Sequence, residues 1–560
     1  MPRRYYRTSP SRCIPSRFHT RTVSVSTAIV LALWGSANRE EALAADGLHK
    51  RQASHNDLSR VKVICAQFPA GSMGAGSQEH TLVGLEDPIP LSSRIVSFSP
   101  QPASDADALS ELTSGFVAAG RPDLSFDATR VLFVGRRKAT DLIDVWEMNV
   151  DGTGLRKVTD HAGDCVEAIY LSTIYTIDAK GPSRLIAYCS RDPNTGRGAL
   201  YTCRADGTDN RQITYNPYGV FSPYMLSDSR LLYSTWSRTD GTAKERRSAD
   251  DVALYTVHID GADVFPFSGV HESPAVRSMP CETTDGWITY VESDMGALDP
   301  GGALFAVKRT RSLRTRRLVA DASSGRYYSP SPLPDGRLLA SYKPAGSGSY
   351  GVYVLEAKDP QTKRKLLDTP EWHEIDAVAV LPRLEPAGRS SVVDLRTETA
   401  ELYCLDAYMS DTAAGKQIER GQIGKLRVIQ ALTGVDVNGG TVSGAPITSK
   451  ESTPRTVAEI VLGEVPVERD GSFYLRVPAS TPLRLETLDQ RGRVLQAMKN
   501  WIWVMPDGQR GCIGCHEDRE LTPPNRHVLA LRKRPRMVGV TGGAERAYWQ
   551  KRKSAGEARE

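Results

Sequence analysis

Beyond its amino terminus this chain has no long apolar run. Nothing after residue 44 approaches the roughly 20 apolar residues that a membrane-spanning helix needs, so no integral span is expected once that region is set aside. An excess of one charge is also missing. The formal net charge is +5, but residues 1–44 carry Arg3, Arg4, Arg7, Arg12, Arg17, Arg21 and Arg39 against only Glu40 and Glu41. That segment holds the whole excess. The near-neutral remainder gives no reason to expect nucleic acid as a partner. Cysteine is scarce, nine in 560 residues, and the composition (40% apolar, 24% charged) is that of a globular chain rather than a disordered one.

The amino terminus has the pattern of an export signal. An arginine-rich stretch leads into "TVSVSTAIVLALWGSA", whose apolar part of about a dozen residues suits a signal h-region. Small-residue cleavage sites follow at "GSA" (35–37) and "ALA" (42–44). Retention as an uncleaved anchor is the competing reading. The Arg3–Arg4 pair lacks the rest of a twin-arginine context. Residues 1–44 are therefore read as a signal peptide and 45–90 as an irregular segment, with the periplasm or the cell exterior as the working compartment. Six cysteines outside the signal and the motif discussed below (Cys65, Cys165, Cys189, Cys203, Cys281 and Cys404) would then meet oxidising conditions. Cys189 and Cys203 flank a hairpin-like stretch, "SRDPNTGRGALYT", where a cross-strand bridge is conceivable; connectivity is not legible from sequence.

A chain of 560 residues exceeds the usual single core, unless it is built from repeats. Repeats are present. "VWEMNVDGTGLRKVT", "LYTCRADGTDNRQIT" and "LYTVHIDGADVFPFS" share an apolar strand, an Asp-Gly pair and a short polar strand, with the Asp-Gly pairs starting at 151, 206 and 260. An earlier strand-like stretch precedes each, and "TDGWITYVESD" and "LPDGRLLASYKP" continue the series. Asp-Gly supplies the turn between antiparallel strands. Units of about 50 residues with four short strands are the size of a propeller blade. The expectation is a mainly β chain: a β-propeller over 91–385, six-bladed with seven as the variant. Its last blade would combine "HEIDAVAVLPR" (373–383) with material before residue 120, closing the ring. A β-sandwich is the alternative. From 386 to 530 the period is lost, and short strands separated by Asp-Gly, Arg-Gly and Pro turns predict a small β-sandwich-like domain. Residues 531–560, with "RKRPR" and "QKRK", read as a basic flexible tail.

That second domain ends in "GCIGCHEDRE", residues 511–520. Composition alone predicts about 0.003 C-x-x-C-H matches in such a chain. Two thiols at this spacing can each add to a vinyl group on one edge of a porphyrin, and the adjacent histidine then ligates the iron. Cys512 and Cys515 are thus candidate anchors for one covalent haem c, with His516 its metal ligand. His527 leads the candidates for the opposite iron ligand, followed by Met505, Met498, His271 and His373. Trp501 and Trp503 stand just before the motif and either wall the haem or pack on their own core. Zinc would need further ligands, such as Cys404 or Cys281. A Cys512–Cys515 redox disulfide lacks a thioredoxin-like setting. A second gathering, His161, Asp164, Cys165 and Glu167 in "DHAGDCVEAIYL", is either a polar site on a propeller loop or a solvated loop with one buried thiol.

The order of propeller, small β domain and terminal "GCIGCHEDRELTPPNRH" resembles the alpha subunit of hydrazine synthase, through its propeller and middle haem domain. "LYCLDAYMSD", "LGEVPVERDGSFYLRVPASTPLRL" and "WIWVMPDGQRGCIGCHE" carry the resemblance, which covers about residues 90–530. The propeller repeats alone, such as "SFDATRVLF" and "NVDGTGLRKVT", resemble Tol-type periplasmic propellers. The family resemblance implies a multisubunit, multihaem enzyme that joins nitric oxide and ammonium. It also implies a tyrosine iron ligand soon after the motif, and a cysteine-bound zinc for which Cys165, Cys189, Cys203 and Cys281 are the candidates. This chain has one C-x-x-C-H, and no tyrosine between His516 and Tyr548. Three functions are therefore in view. The first is an exported monohaem c-type cytochrome-like protein, in electron transfer or redox chemistry on a small ligand, with a redox protein or another haem subunit as partner. The second is a non-catalytic binding or assembly propeller with zinc or a disulfide at the motif. The third is N–N bond formation of the hydrazine synthase type. Whether the chain is a haem-dependent oxidoreductase stays open at this level.

Overall fold

The computed structural model describes residues 58, 61–73, 89–101, 109–176, 179–193, 195–237, 251–269, 275–294, 301–356, 358–410, 415–432, 457–515 and 527–540. All of them lie in the compact unit Leu58–Glu560. The signal segment 1–44, His271, His516 and residues 541–560 lie outside the described residues.

Among the described residues, six four-stranded antiparallel meanders are found in the first part. Their innermost strands are Ala118–Leu124, Cys165–Thr176, Val220–Met225, Val276–Glu282, Gly325–Pro332 and Trp372–Ala379. The sixth meander is shared between the two ends of the propeller: Trp372–Ala379 pairs antiparallel with Val63–Pro69, which continues through Arg94–Phe98 to Ser110–Glu111. The ring is closed by the combination of early and late strands that the sequence predicts, and closure leaves its inner strands no bare edge. One boundary moves. The segment 45–90 is not irregular throughout, because Val63–Pro69 is a buried strand of that closing sheet. Its apolar "VICAQF" pairs on both sides and is covered on both faces, so it shows a continuous run rather than the alternation by which a half-exposed strand is recognised.

The Asp-Gly turns fall between the third and fourth strands of successive meanders. Asp151, Asp206 and Asp260 each accept a hydrogen bond from the backbone N–H two residues on, and Gly152, Gly207 and Gly261 take positive φ. Each innermost strand carries a register break. At five of these breaks a non-glycine residue turns to positive φ: Arg121, Ser222, Met279, Ser329 and Asp376. Such bulges bend a strand and re-aim one side chain, here on the strand nearest the axis.

Beyond the propeller, Arg389–Ser391 adds in parallel to Cys165–Thr176, tying the connection down. Two four-stranded sheets then face each other. One orders Gln509–Cys512, Thr399–Cys404, Phe473–Pro478 and Arg536–Met537; the other orders Ala458–Pro466, Lys425–Leu432, Leu483–Leu488 and Val494–Ala497. This is the expected sandwich. The basic tail is not wholly loose, since Arg536–Met537 pairs with Leu475–Arg476. One apolar cluster runs from Leu402, Leu475 and Leu485 of the sandwich to Leu231, Tyr233 and Tyr255 of the propeller, so the two parts share a core. Trp503 donates its indole N–H to the Gly261 carbonyl at 2.9 Å, and Met505 packs on the same glycine.

Candidate functional site

Cys512 ends a strand and Cys515 lies in the loop after it, both half-buried. The strand is built by its neighbour. Gln509–Cys512 runs parallel to Glu401–Cys404 in register, so Leu402 stands beside Arg510 and Cys404 beside Cys512. The chain after Cys404 then follows the motif. Leu405 N–H donates to Cys512 O (2.9 Å), Asp406 N–H to Ile513 O (3.2 Å), and Cys515 N–H to Met409 O (3.0 Å). "CLDAYM" and "GCIGC" are two halves of one clasp. The two glycines of the motif are required by close approach. A Cβ on Gly511 would sit 2.6 Å from the Tyr403 ring, and one on Gly514 would collide with the Met409 carbonyl.

The clasp rests on buried polar groups. Asp406 is fully buried; its carboxylate accepts from Arg420 Nη2 at 2.6 Å and from the Tyr408 N–H at 3.1 Å. On the outer face of the same sheet, Glu401 accepts from Arg476 Nη1 (3.1 Å), Gln509 Nε2 (2.6 Å) and the Tyr474 hydroxyl. The strand that carries Cys512 is thereby pinned through Gln509 on one face and through the shared core on the other.

Strand alternation sends Arg510 and Cys512 to one face and Gln509 and Gly511 to the other. The first of these is the inner face, because their neighbours Leu402 and Cys404 belong to the core shared with the propeller. An arginine there is unexpected. Its Nε and Nη1 are buried with no hydrogen-bond partner, and among the described residues no other arginine has two such nitrogens. The Arg136, Arg383 and Arg484 guanidiniums each have one orphaned nitrogen but bond through another. Across the core, Tyr255 Oη is orphaned as well, with its ring 6.3 Å from that of Tyr233. Burial, and then Tyr255, holds the Tyr233 phenol well above its ordinary value, while the Arg510 charge pulls it back. Arg510 is therefore within electrostatic reach of the propeller wall.

The structure sorts the remaining candidates. His527 is exposed, two residues before Leu529, whose N–H donates to Asp470. Met505 is buried against Gly261, and Trp501 and Trp503 are core residues, so they belong to packing between the two parts. His373 lies inside the propeller, its Nδ1 accepting from Tyr350 N–H at 3.2 Å. The His161 group does not converge. His161 bonds Ser190 Oγ (2.8 Å) and stacks edge-on to Tyr201, Asp164 accepts from Ile143 N–H, and Cys165 is a buried thiol near Thr159. Cys189 and Cys203 are not opposite one another: Cys189 faces Leu200 and Cys203 faces Ile186. They fall in different core clusters, and Cys203 is a free thiol, so no bridge joins them. Among the described residues no three His, Cys, Asp or Glu side chains gather as a metal centre, and no helix is long and apolar enough to cross a membrane.

Glu167 has a different setting from the rest of its loop. It stands on the second innermost strand among Arg121, Asp376 and the Ser222 N–H. Burial, reinforced by Asp376 and resisted by Arg121, pushes its carboxyl up to about 7. Arg121 itself donates to Asp376 (3.2 Å) and to the Tyr328 hydroxyl (3.1 Å). Sequence reading missed both this axial group and Arg510.

A β-propeller that shares its core with a sandwich, and presents a C-x-x-C clasp on the sandwich, defines the class of protein. Residues 421–517 match the family model described as the hydrazine synthase alpha subunit middle domain, and the match ends just past the motif. The chain is 26% identical over 525 aligned residues to hydrazine synthase subunit alpha of Kuenenia stuttgartiensis, covering 76% of this chain and 63% of that one. It thus spans under two thirds of that relative's length. The solved hydrazine synthase of Kuenenia stuttgartiensis superposes with a TM-score of 0.71 at 22% identity, covering 84% of this chain and 71% of that one. TolB from Acinetobacter baumannii is matched at a TM-score of 0.39 and 9% identity, over 58% of this chain and 67% of that one. The resemblance to the hydrazine synthase alpha subunit drawn from the sequence is shared by all of the first three comparisons.

Proposed function

We propose that this is an exported redox protein holding one haem c on Cys512 and Cys515, with His516 as the iron ligand and the propeller walling one side. The observation that carries the reading is the C-x-x-C-H placed at the end of a domain matching a hydrazine synthase alpha middle domain. The residues fit such a group. Two half-buried thiols lie on one clasp, and beside them an arginine has two orphaned buried nitrogens suited to an anion. Each thiol adds its S–H across a vinyl double bond, so both cysteines must be reduced at attachment. A haem held there by Cys512, Cys515 and His516 would supply one-electron redox chemistry. The clasp from Cys404 to Met409 holds the backbone that carries the two thiols, and the apolar core lies against the face that Cys512 shares with Arg510.

Protein made in cells competent for c-type cytochrome maturation is expected to give one covalent haem per chain in the pyridine haemochrome assay. His516→Ala is expected to change the visible spectrum. A chain without covalent haem would favour the assembly-propeller reading. Carbon monoxide then separates two roles: a ferrous spectrum that responds marks an open site for a small ligand, and one that does not marks an electron carrier. Similarity over most of the chain to a protein named as a subunit supports a second reading, N–N bond formation alongside further haem subunits. It expects the protein to be isolated in a complex, and a stable monomer in its native host counts against it.

A further inference from the structure

We infer that Arg510 is the anion-binding residue of this site, the group that takes a haem carboxylate beside Cys512; the inference rests on the haem reading above. Arg510 and Cys512 are two residues apart on one strand and face the same core, which puts their Cβ atoms about 7 Å apart. Two guanidinium nitrogens, buried and unpartnered, are costly: each forfeits hydrogen bonds to water and gains none. Among the described residues no carboxylate pairs with Arg510. The neighbours on that face are Leu402, Cys404, Leu475 and Phe473, and the polar atom left over on the facing wall is the Tyr255 hydroxyl. Glu401, the carboxylate on the adjoining strand, points to the opposite face and is occupied by Arg476, Gln509 and Tyr474. A ligand that is apolar over most of its surface, anionic at one edge and anchored at Cys512 satisfies these groups together. The planar fork of arginine matches a carboxylate through two parallel hydrogen bonds, which a lysine cannot reproduce.

The test uses full-length protein from maturation-competent cells, with Arg510→Gln and Arg510→Lys beside the unaltered chain. Circular dichroism checks folding, the haemochrome assay counts covalent haem, and an optical redox titration gives the midpoint potential. A cation near the iron favours the reduced state, so Arg510→Gln is expected to keep its covalent haem and shift to a lower potential. Arg510→Lys is expected to lie between the two. Should Arg510→Gln fail to accumulate, a lowered potential in Arg510→Lys supports the assignment and an unaltered one overturns it. Equal potentials in all three haem-bearing proteins overturn it and leave the haem reading standing. An unaltered chain without covalent haem overturns both. Inorganic phosphate supplies a further arm: a spectrum that responds to phosphate in the unaltered chain but not in Arg510→Gln means the guanidinium serves free anions, and the haem carboxylate assignment falls.

Discussion

Glu167 shows how a single residue acquires a property that its neighbours in sequence do not suggest. In "DCVEAIY" it reads as a loop acid, yet it stands on an innermost strand facing Arg121, Asp376 and Asp123. Burial outweighs the pull of Arg121 on both Glu167 and Asp376, raising each carboxyl, while Arg121 keeps its charge because Tyr328 and Asp376 more than offset its burial. A carboxyl at about 7 in the folded chain and near 4.5 in the unfolded one favours folding most when protonated. That contribution is complete below pH 4.5 and is lost as pH rises through 7, at most about 3 kcal/mol. Thermal unfolding of Glu167→Gln is therefore expected to lose this part of the pH dependence and to be more stable than the unaltered chain at pH 8. An unchanged slope between pH 5 and 7.5 would sink the assignment.

At the scale of elements, four innermost strands obey a pattern that is plain once seen. Pro122, Pro223, Pro280 and Pro330 each follow the positive-φ residue at the bulge, and each is followed five residues later by an aspartate: Asp127, Asp228, Asp285 and Asp335. Proline has no N–H to give to a ladder, so within a sheet it is tolerated at a bulge. The Asp-Gly period marked the outer turns of the same blades, but the prolines look like strand breakers until the bulge is known. The clasp is likewise an element made by two distant segments, "CLDAYM" and "GCIGC". Adding a methyl at Gly514 drives it into the Met409 carbonyl. Gly514→Ala is expected to lower stability by about 1–3 kcal/mol, read by urea unfolding, whereas an alanine at Gly348, where a Cβ meets nothing and the backbone is not left-handed, should stay near zero.

The whole molecule depends on where the two parts meet. Gly261, the glycine of the third repeat turn, has φ of +88°. A Cβ there would press on Met505 at 2.8 Å, and its carbonyl receives the Trp503 indole. One repeat turn has thus become the seat for the second domain, while the equivalent glycines at 152 and 207 have other neighbours. Gly261→Val combines a backbone conformation that a β-branched residue resists with a steric clash. It is expected to weaken docking by about 1–3 kcal/mol and to speed limited proteolysis in the 386–398 connection. Cleavage no faster than in the unaltered chain would show that the seat is dispensable.

Local chemistry determined much of this protein from its sequence. The Asp-Gly period set the repeat, loss of that period marked the second domain, and C-x-x-C-H needs only five consecutive residues to be read. Those features depend on turn geometry and short spacing, which a linear string preserves. The tertiary structure decided the rest. Val63–Pro69 became a propeller strand because Trp372–Ala379 lay open to it. Glu167 became an axial group because the innermost strands of other sheets bring Arg121, Asp376 and Ser222 around it. Arg510 became conspicuous because the face it shares with Cys512 packs on the apolar core and leaves two of its nitrogens buried without a partner. Burial and counter-charge are set by groups hundreds of residues away, and no window of sequence contains them.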